Sequence, residues 1–317
     1  MKNRPFKQVD VFTATPYLGN PLAVVLDAGG LSTGAMQQFA HWTNLSETTF
    51  LLPPSPEAAA AGADYQVRIF TTAYEMPFAG HPTLGSCHAW LESGGQPKHP
   101  EWVMQECQVG LVRIRHHNKP LAFAAPPLTR SSPTAECVAQ LSAALGLSSV
   151  QLLIAQHLVN GPRYIGLLLS STNAVLQLQP DLTALRPAMV AAGISGVGVA
   201  AVTDTAPANA LIRRSNREAR AFGSYSTANS IAEKELAQLE VRFFANDVMV
   251  TEDPVTGSFN ASLAQWLIAD GLAPSRYVAT QGTCLGRYGQ VHIERDGADQ
   301  VWVGGACVSC IDGVVKL

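Results

Sequence analysis

Three titratable side chains sit where the chain changes direction: Glu47 in "NLSETTF", His81 in "PFAGHP" and Asp253 in "EDPVTGS". A carboxylate or an imidazole at such a place can work as a general acid or base, with a proton affinity set by burial and neighbouring charge. Each also has a plainer reading. His81 can be a helix-start residue satisfied by backbone, Asp253 can cap the turn or helix that follows, and Glu47 can face solvent on a strand or contact Ser46. Residue chemistry alone does not join the three.

An internal echo brings two of them into one frame. "VRIFTTAYEMPFAGHPTLGSCHAWL" opens at Val67 and closes past Trp90; "VRFFANDVMVTEDPVTGSFNASLAQWL" opens at Val241 and closes past Trp266, two residues longer. In each, a β-branched and aromatic strand meets a turn with Pro and Gly and then a helix, so two units on one plan are expected, with their strand-to-helix junctions facing one another. A helix N-terminus carries free N–H groups and partial positive charge, so two converging tips would hold an anion such as a carboxylate. Gly80 and Gly257 would let that ligand come close to the backbone.

The elements that must position these groups are legible in outline. Strands are expected at "FKQVDVFTA" and "NPLAVVLDA" around a turn at Pro16, Gly19, Asn20 and Pro21, then at "TTFLLPP", "DYQVRIFTT", "WVMQECQVG" and "LVRIRHH". A helix is expected from Ser32, with Met36, Phe39 and Ala40 on one face, and another across "HPTLGSCHAWLES". The stretch Pro120 to Pro133 carries four prolines and reads as the connection between domains 1–122 and 123–317, the last strands of the second returning to the first. Ser132 then caps a helix with Pro133 in its first turn and Gly146 at its end. Beyond it, "YIGLLLSS", "AVLQLQ" and "GVGVAAVT" read as strands, and "DLTALRPAMVAAG" as a helix.

Composition narrows the class. The chain has 317 residues, is 47% hydrophobic and 14% charged, and carries a net charge of -3, which suits a globular protein without an electrostatic footprint for nucleic acid. No stretch approaches the roughly 20 apolar residues that span a bilayer, and no leader is visible, so a cytoplasmic location and no membrane partner are expected. Cys307 and Cys310 form a lone C-x-x-C that reads as two strand-borne thiols, and the adjacent His116 and His117 read as surface. No metal set, P-loop, G-x-S-x-G elbow or dinucleotide fingerprint is present in the sequence. The basic run from Arg213 to Arg220 reads as a solvated face or loop.

At these residues the sequence resembles the phenazine-biosynthesis isomerase (PhzF-like) family. The resemblance runs through "VDVFTATPYLGNPLAVVL", "NLSETTFL", "EMPFAGHPTLGSCHAWL", "EDPVTGSFNASLAQWL", "QGTCLGRYGQVHIE" and "VWVGGACV", in that order. It implies an α+β, diaminopimelate-epimerase-like fold: two similar domains, each a curled, barrel-like, mostly antiparallel sheet around a central helix. It further implies a site between the domains, no cofactor and a homodimer. By that resemblance Glu47 matches the glutamate that carries a proton between two carbons of a dihydro-hydroxyanthranilate-type substrate. His81, Asp253, Gly80 and Ser258 match positions that hold and polarise the ligand. Ala79 and Thr256 stand where related epimerases place thiols, which disfavours two-thiol racemisation, and Cys87 reads as core. Phe259, bulky where a small residue is usual, is expected to reshape the pocket.

The expectation is therefore a cofactor-independent isomerase acting on a small carboxylated molecule. A one-base epimerase of amino or hydroxy acids, or a small-acid-binding protein without catalysis, stands as the alternative.

Overall fold

The computed structural model describes residues 1–116, 120–203, 238–246 and 251–317. His117 and the basic run from Arg213 to Arg220 lie outside the described residues.

The first half contributes β1 (Asn3–Val11), β2 (Asn20–Val25), β3 (Thr48–Leu52), β4 (Tyr65–Phe70), β5 (Glu75–Met76), β6 (Trp102–Cys107), β7 (Gly110–Arg115) and β8 (Ala122–Ala124). Its helices are α1 (Thr33–Thr43), α2 (Pro56–Ala60) and α3 (Gly80–Glu92). After β9 (Thr129–Ser131) come α4 (Ala135–Leu145), β10 (Leu152–Val159), β11 (Arg163–Leu169), α5 (Thr172–Leu176), α6 (Leu182–Ala191) and β12 (Gly196–Val202). The chain continues through β13 (Gln238–Ala245), β14 (Glu252–Asp253), α7 (Gly257–Ala269), β15 (Arg276–Gln281), β16 (Gly289–Arg295), β17 (Val301–Gly304) and β18 (Cys307–Lys316).

Strand pairing repeats. In the first half β1 and β2 are antiparallel, β2 and β3 parallel, β3 and β4 antiparallel, β4 and β6 parallel, and β6, β7 and β8 follow antiparallel. The second half runs through the same series with β10, β11, β12, β13, β15, β16 and β17. Two pairings join the halves: β8 pairs with β17, and β18 completes the first sheet beside β1 from Asn3 to Val11; β9 lies beside β10. Among the described residues no pairing closes either curl, so the sheet is curled, as expected, and unclosed.

A central helix fills each curl. α3 buries nine of its residues and α7 eleven, because small side chains (Thr83, Gly85, Ser86; Ala261, Ser262, Ala264) let the sheet close in around most of the helix. Amphipathic helices cover the outside. Met36 and Ala40 of α1 pack with Val25, Phe50 and Phe70, while Leu141 and Leu145 of α4 and Leu185 and Met189 of α6 cover Ile165, Leu167, Val197 and Val199. Among the described residues no helix is long and apolar enough to cross a membrane.

Several local expectations change. "AVLQLQ" holds the end of α5 instead of a strand, because Ser171 accepts from the Ala174 amide and starts a helical turn that buries Ala174 and Val175. The cap of α4 is Thr134, which accepts from Cys137 N at 3.2 Å, and not Ser132. The proline-rich stretch Pro120 to Pro133 carries β8 and β9, its prolines lying outside both strands. His116 is half-buried. Cys87 is fully buried, and Cys307 and Cys310 both lie on β18 as free thiols.

The two central helices meet tip to tip. An added Cβ on Gly80 would lie 2.9 Å from Gly257 C, Ser258 N and the Phe123 ring; one on Gly257 would meet Phe12, Gly80 Cα and His81 N at 3.0–3.2 Å. These glycines are thus required by protein packing against protein. Gly80→Ala must push the tips apart, with an expected loss of about 1–3 kcal/mol in urea denaturation. Wild-type stability in that variant would contradict the contact.

Candidate active site

Each helix tip is left open to ligand chemistry. Ala79 and Thr256 are the N-cap residues, both extended, and neither supplies a side-chain cap. The first N–H groups of α3 and α7 therefore have no partner within their own helices, and Pro82 removes one of α3's four.

A cavity of about 550 Å³ lies over these tips and is lined from both halves. Glu47, Gly80, His81, Asp253, Gly257 and Ser258 all line it. Glu47 enters from the turn before β3, His81 from the first turn of α3, Asp253 from β14 and Ser258 from the first turn of α7. Thr72, Tyr74 and Tyr164 add further polar groups to the wall. The sequence-based set is thus brought to one place. Phe259 is the exception. It is fully buried, packs on Tyr164 and Phe243, and lies where a Cβ on Gly198 would sit, so it belongs to the core and not to the cavity wall.

His81 Nε2 stands 3.6 Å from Glu47 Oε2. The imidazole is 3% exposed, and burial pushes its pKa from 6.5 down to about 4 against the upward pull of Asp253 and Asp10. It is neutral at pH 7. Asp253 moves the other way: burial, and then the charge of Glu47, raise its carboxyl above the ordinary value. Hydrogen bonds hold that carboxyl in place, with Thr256 Oγ1 donating to Oδ2 at 2.6 Å and Asn20 Nδ2 to Oδ1 at 2.8 Å.

Two polar frames brace the site. Gln281 Oε1 accepts from Thr256 N at 3.0 Å and from Asn260 Nδ2 at 2.9 Å, while its amide nitrogen donates to Asp253 O at 3.0 Å. Beside the second tip, Tyr164 OH and Ser258 Oγ share a hydrogen bond of 2.8 Å, and Asn160 Nδ2 donates to Ser258 O at 2.9 Å. Burial raises the Tyr164 phenol, which stays protonated.

Asn20, Gln281, Tyr164 and the Thr256 hydroxyl that donates to Asp253 carry no site reading from the sequence. Asn20 read as a turn residue; its position before Pro21 at the start of β2 was the one local signal, and it does not distinguish a turn from a bridge to residues 233 positions away.

The family model for phenazine biosynthesis-like proteins, PhzC-PhzF, matches residues 9–313. The chain belongs to this family. A relative named antisense-enhancing sequence 1, from Schizosaccharomyces pombe, is 32% identical over 330 residues, covering 99% of both chains. The trans-2,3-dihydro-3-hydroxyanthranilate isomerase of Pseudomonas aeruginosa is 36% identical over 180 residues, 56% of this chain and 61% of that one. A crystal structure of the PhzF-family phenazine biosynthesis protein of Bacillus anthracis superposes over 100% of both chains with a TM-score of 0.77 at 19% identity. The fold is α+β and diaminopimelate-epimerase-like.

The opposed shifts of His81 and Asp253 fix a pH response. Between pH 6.5 and about 4 the unfolded chain binds a proton at His81 that the folded chain does not. The stability owed to this group is present above that window and is lost as pH falls through it, by up to about 1.4 kcal/mol per pH unit. Asp253 contributes with the opposite sign, because its raised carboxyl takes up a proton in the folded state first. Urea denaturation of wild type and His81→Gln across this range isolates the histidine: wild type should lose stability relative to the variant on acidification. Parallel curves would contradict a buried neutral imidazole.

Proposed function

We propose that this PhzF-like isomerase moves a proton between two carbons of a small carboxylated substrate of the dihydro-hydroxyanthranilate kind, with Glu47 as the proton carrier and no cofactor. The observation that carries the reading is a carboxylate 3.6 Å from a neutral imidazole, in a cavity floored by two helix N-termini.

The chemistry follows from those parts. The substrate carboxylate sits against N–H groups at the tips of α3 and α7, where dipole and donors favour an anion without lysine or arginine. The C–H bond breaks as the O–H bond of Glu47 forms, and the electron pair delocalises into the neighbouring unsaturation. Glu47 then delivers a proton to a different carbon, its carboxyl proton exchanging in part with water between the two steps, so no other reactant is consumed. His81 and Asp253 hold hydrogen bonds to the ligand and limit the charge that must develop on it. A cavity of about 550 Å³ suits a single six-membered ring. Since Phe259 is turned into the core, it takes no room from such a ring.

Incubation with trans-2,3-dihydro-3-hydroxyanthranilate, and with a panel of amino and hydroxy acids, in deuterated water tests the reading. Deuterium should enter at carbon with wild type, and the rate should fall by about 10²–10⁴-fold in Glu47→Gln. Exchange that survives this substitution would remove Glu47 from the role. Stereochemical inversion of an amino or hydroxy acid would favour the one-base epimerase, and binding without exchange the non-catalytic protein.

A further inference from the structure

We propose that Asn20 is a positioning residue that locks His81 in the tautomer carrying its proton on Nε2, so that the ring can only donate into the cavity. The inference deepens the reading of the site given above, and it stands on the hydrogen-bond geometry of one buried amide.

Asn20 is 1% exposed. Its Nδ2 donates to Asp253 Oδ1 at 2.8 Å and to Val255 O at 3.0 Å, both from the opposite half, and lies 3.4 Å from His81 Nδ1. The backbone carbonyl of Val255 can only accept, which fixes the NH₂ group, not the amide oxygen, on this side. Those two acceptors use both hydrogens of the NH₂ group, so Nδ1 of His81 faces, at 3.4 Å, an amide nitrogen that cannot accept a proton. A proton on Nδ1 would be buried against this nitrogen without an acceptor, both in the Nδ1–H tautomer and in the imidazolium. The remaining arrangement places the hydrogen on Nε2.

That nitrogen faces the site. It is buried, has no hydrogen-bond partner among the described residues, and lies 3.6 Å from Glu47 Oε2. The acidic groups around the ring, Glu47 from before β3, Asp253 from β14 and Asp10 from β1, would all favour a charged imidazole; burial and the Asn20 amide oppose it. An Nε2–H donor can hydrogen-bond to a ligand oxygen or to the glutamate. It cannot abstract a proton from carbon at that atom, which leaves base chemistry to Glu47.

Nitrogen NMR of protein labelled with ¹⁵N-histidine tests this without substrate, the His81 signals being assigned by their loss in His81→Gln. Wild type at neutral pH should show Nε2 protonated and Nδ1 bare. Asn20→Asp replaces the donor by an acceptor and should move the proton to Nδ1, raise the titration point of the ring and slow carbon exchange about 100-fold. A wild-type ring protonated on Nδ1 overturns the proposal whether or not the variant folds, as does an unchanged tautomer in folded Asn20→Asp. The expected tautomer in a protein that exchanges no substrate carbon would instead sink the isomerase reading and leave this inference standing.

Discussion

Two helix N-termini in backbone contact are an electrostatic conflict, because each carries partial positive charge and the low dielectric between them does little to screen it. The rest of the site can be read as the answer to that conflict. Gly80 and Gly257 permit the approach by lacking Cβ atoms, and the rings of Phe123 and Phe12 back the two glycines with apolar surface. Asp253 and Glu47 bring negative charge to the same cavity. A bound carboxylate would complete the compensation, which makes the tips a place where an anion is stabilised by what the fold has already assembled.

Such a contact must be held by something stiffer than side chains. The crossing strands supply it. β18 runs beside β1 over its whole length and β8 joins β17, so strands from the two halves are joined in two places. Hydrogen-bond ladders between halves fix the tips to within the tolerance of a strand register. This is also why Glu47, His81 and Asp253 can be spread along the chain and still share one cavity.

The duplicated strand, turn and helix were legible because they are local: "PFAGHP" and "DPVTGS" announce helix starts by their prolines, glycines and small residues. What was not legible depends on direction or distance. Phe259 follows Gly257 by two helical positions, roughly 200° round the axis, so a glycine that faces the opposite tip sends that ring into the sheet over Gly198. "AVLQLQ" has apolar spacing that fits either period in so short a run, and the Ser171 cap decides for helix. At Asn20 the following Pro21 signals only a turn, since the partners of the amide belong to the other half.

The neutrality of His81 has a chemical consequence on the proposed reading. A charged imidazole 3.6 Å from Glu47 would favour the ionised carboxylate and weaken it as a proton acceptor. A neutral donor supplies orientation with little of that penalty. The site gains this through two effects of the same sign: desolvation of a ring that is 3% exposed, and an amide nitrogen that offers no acceptor beside the ring nitrogen a second proton would need. Three acidic groups pull the other way, so both effects are needed to keep the ring uncharged. The histidine after Gly80 is therefore best understood with Asn20 as one unit, a fixed donor pointed at the only carboxylate in the cavity wall that approaches its Nε2 among the described residues.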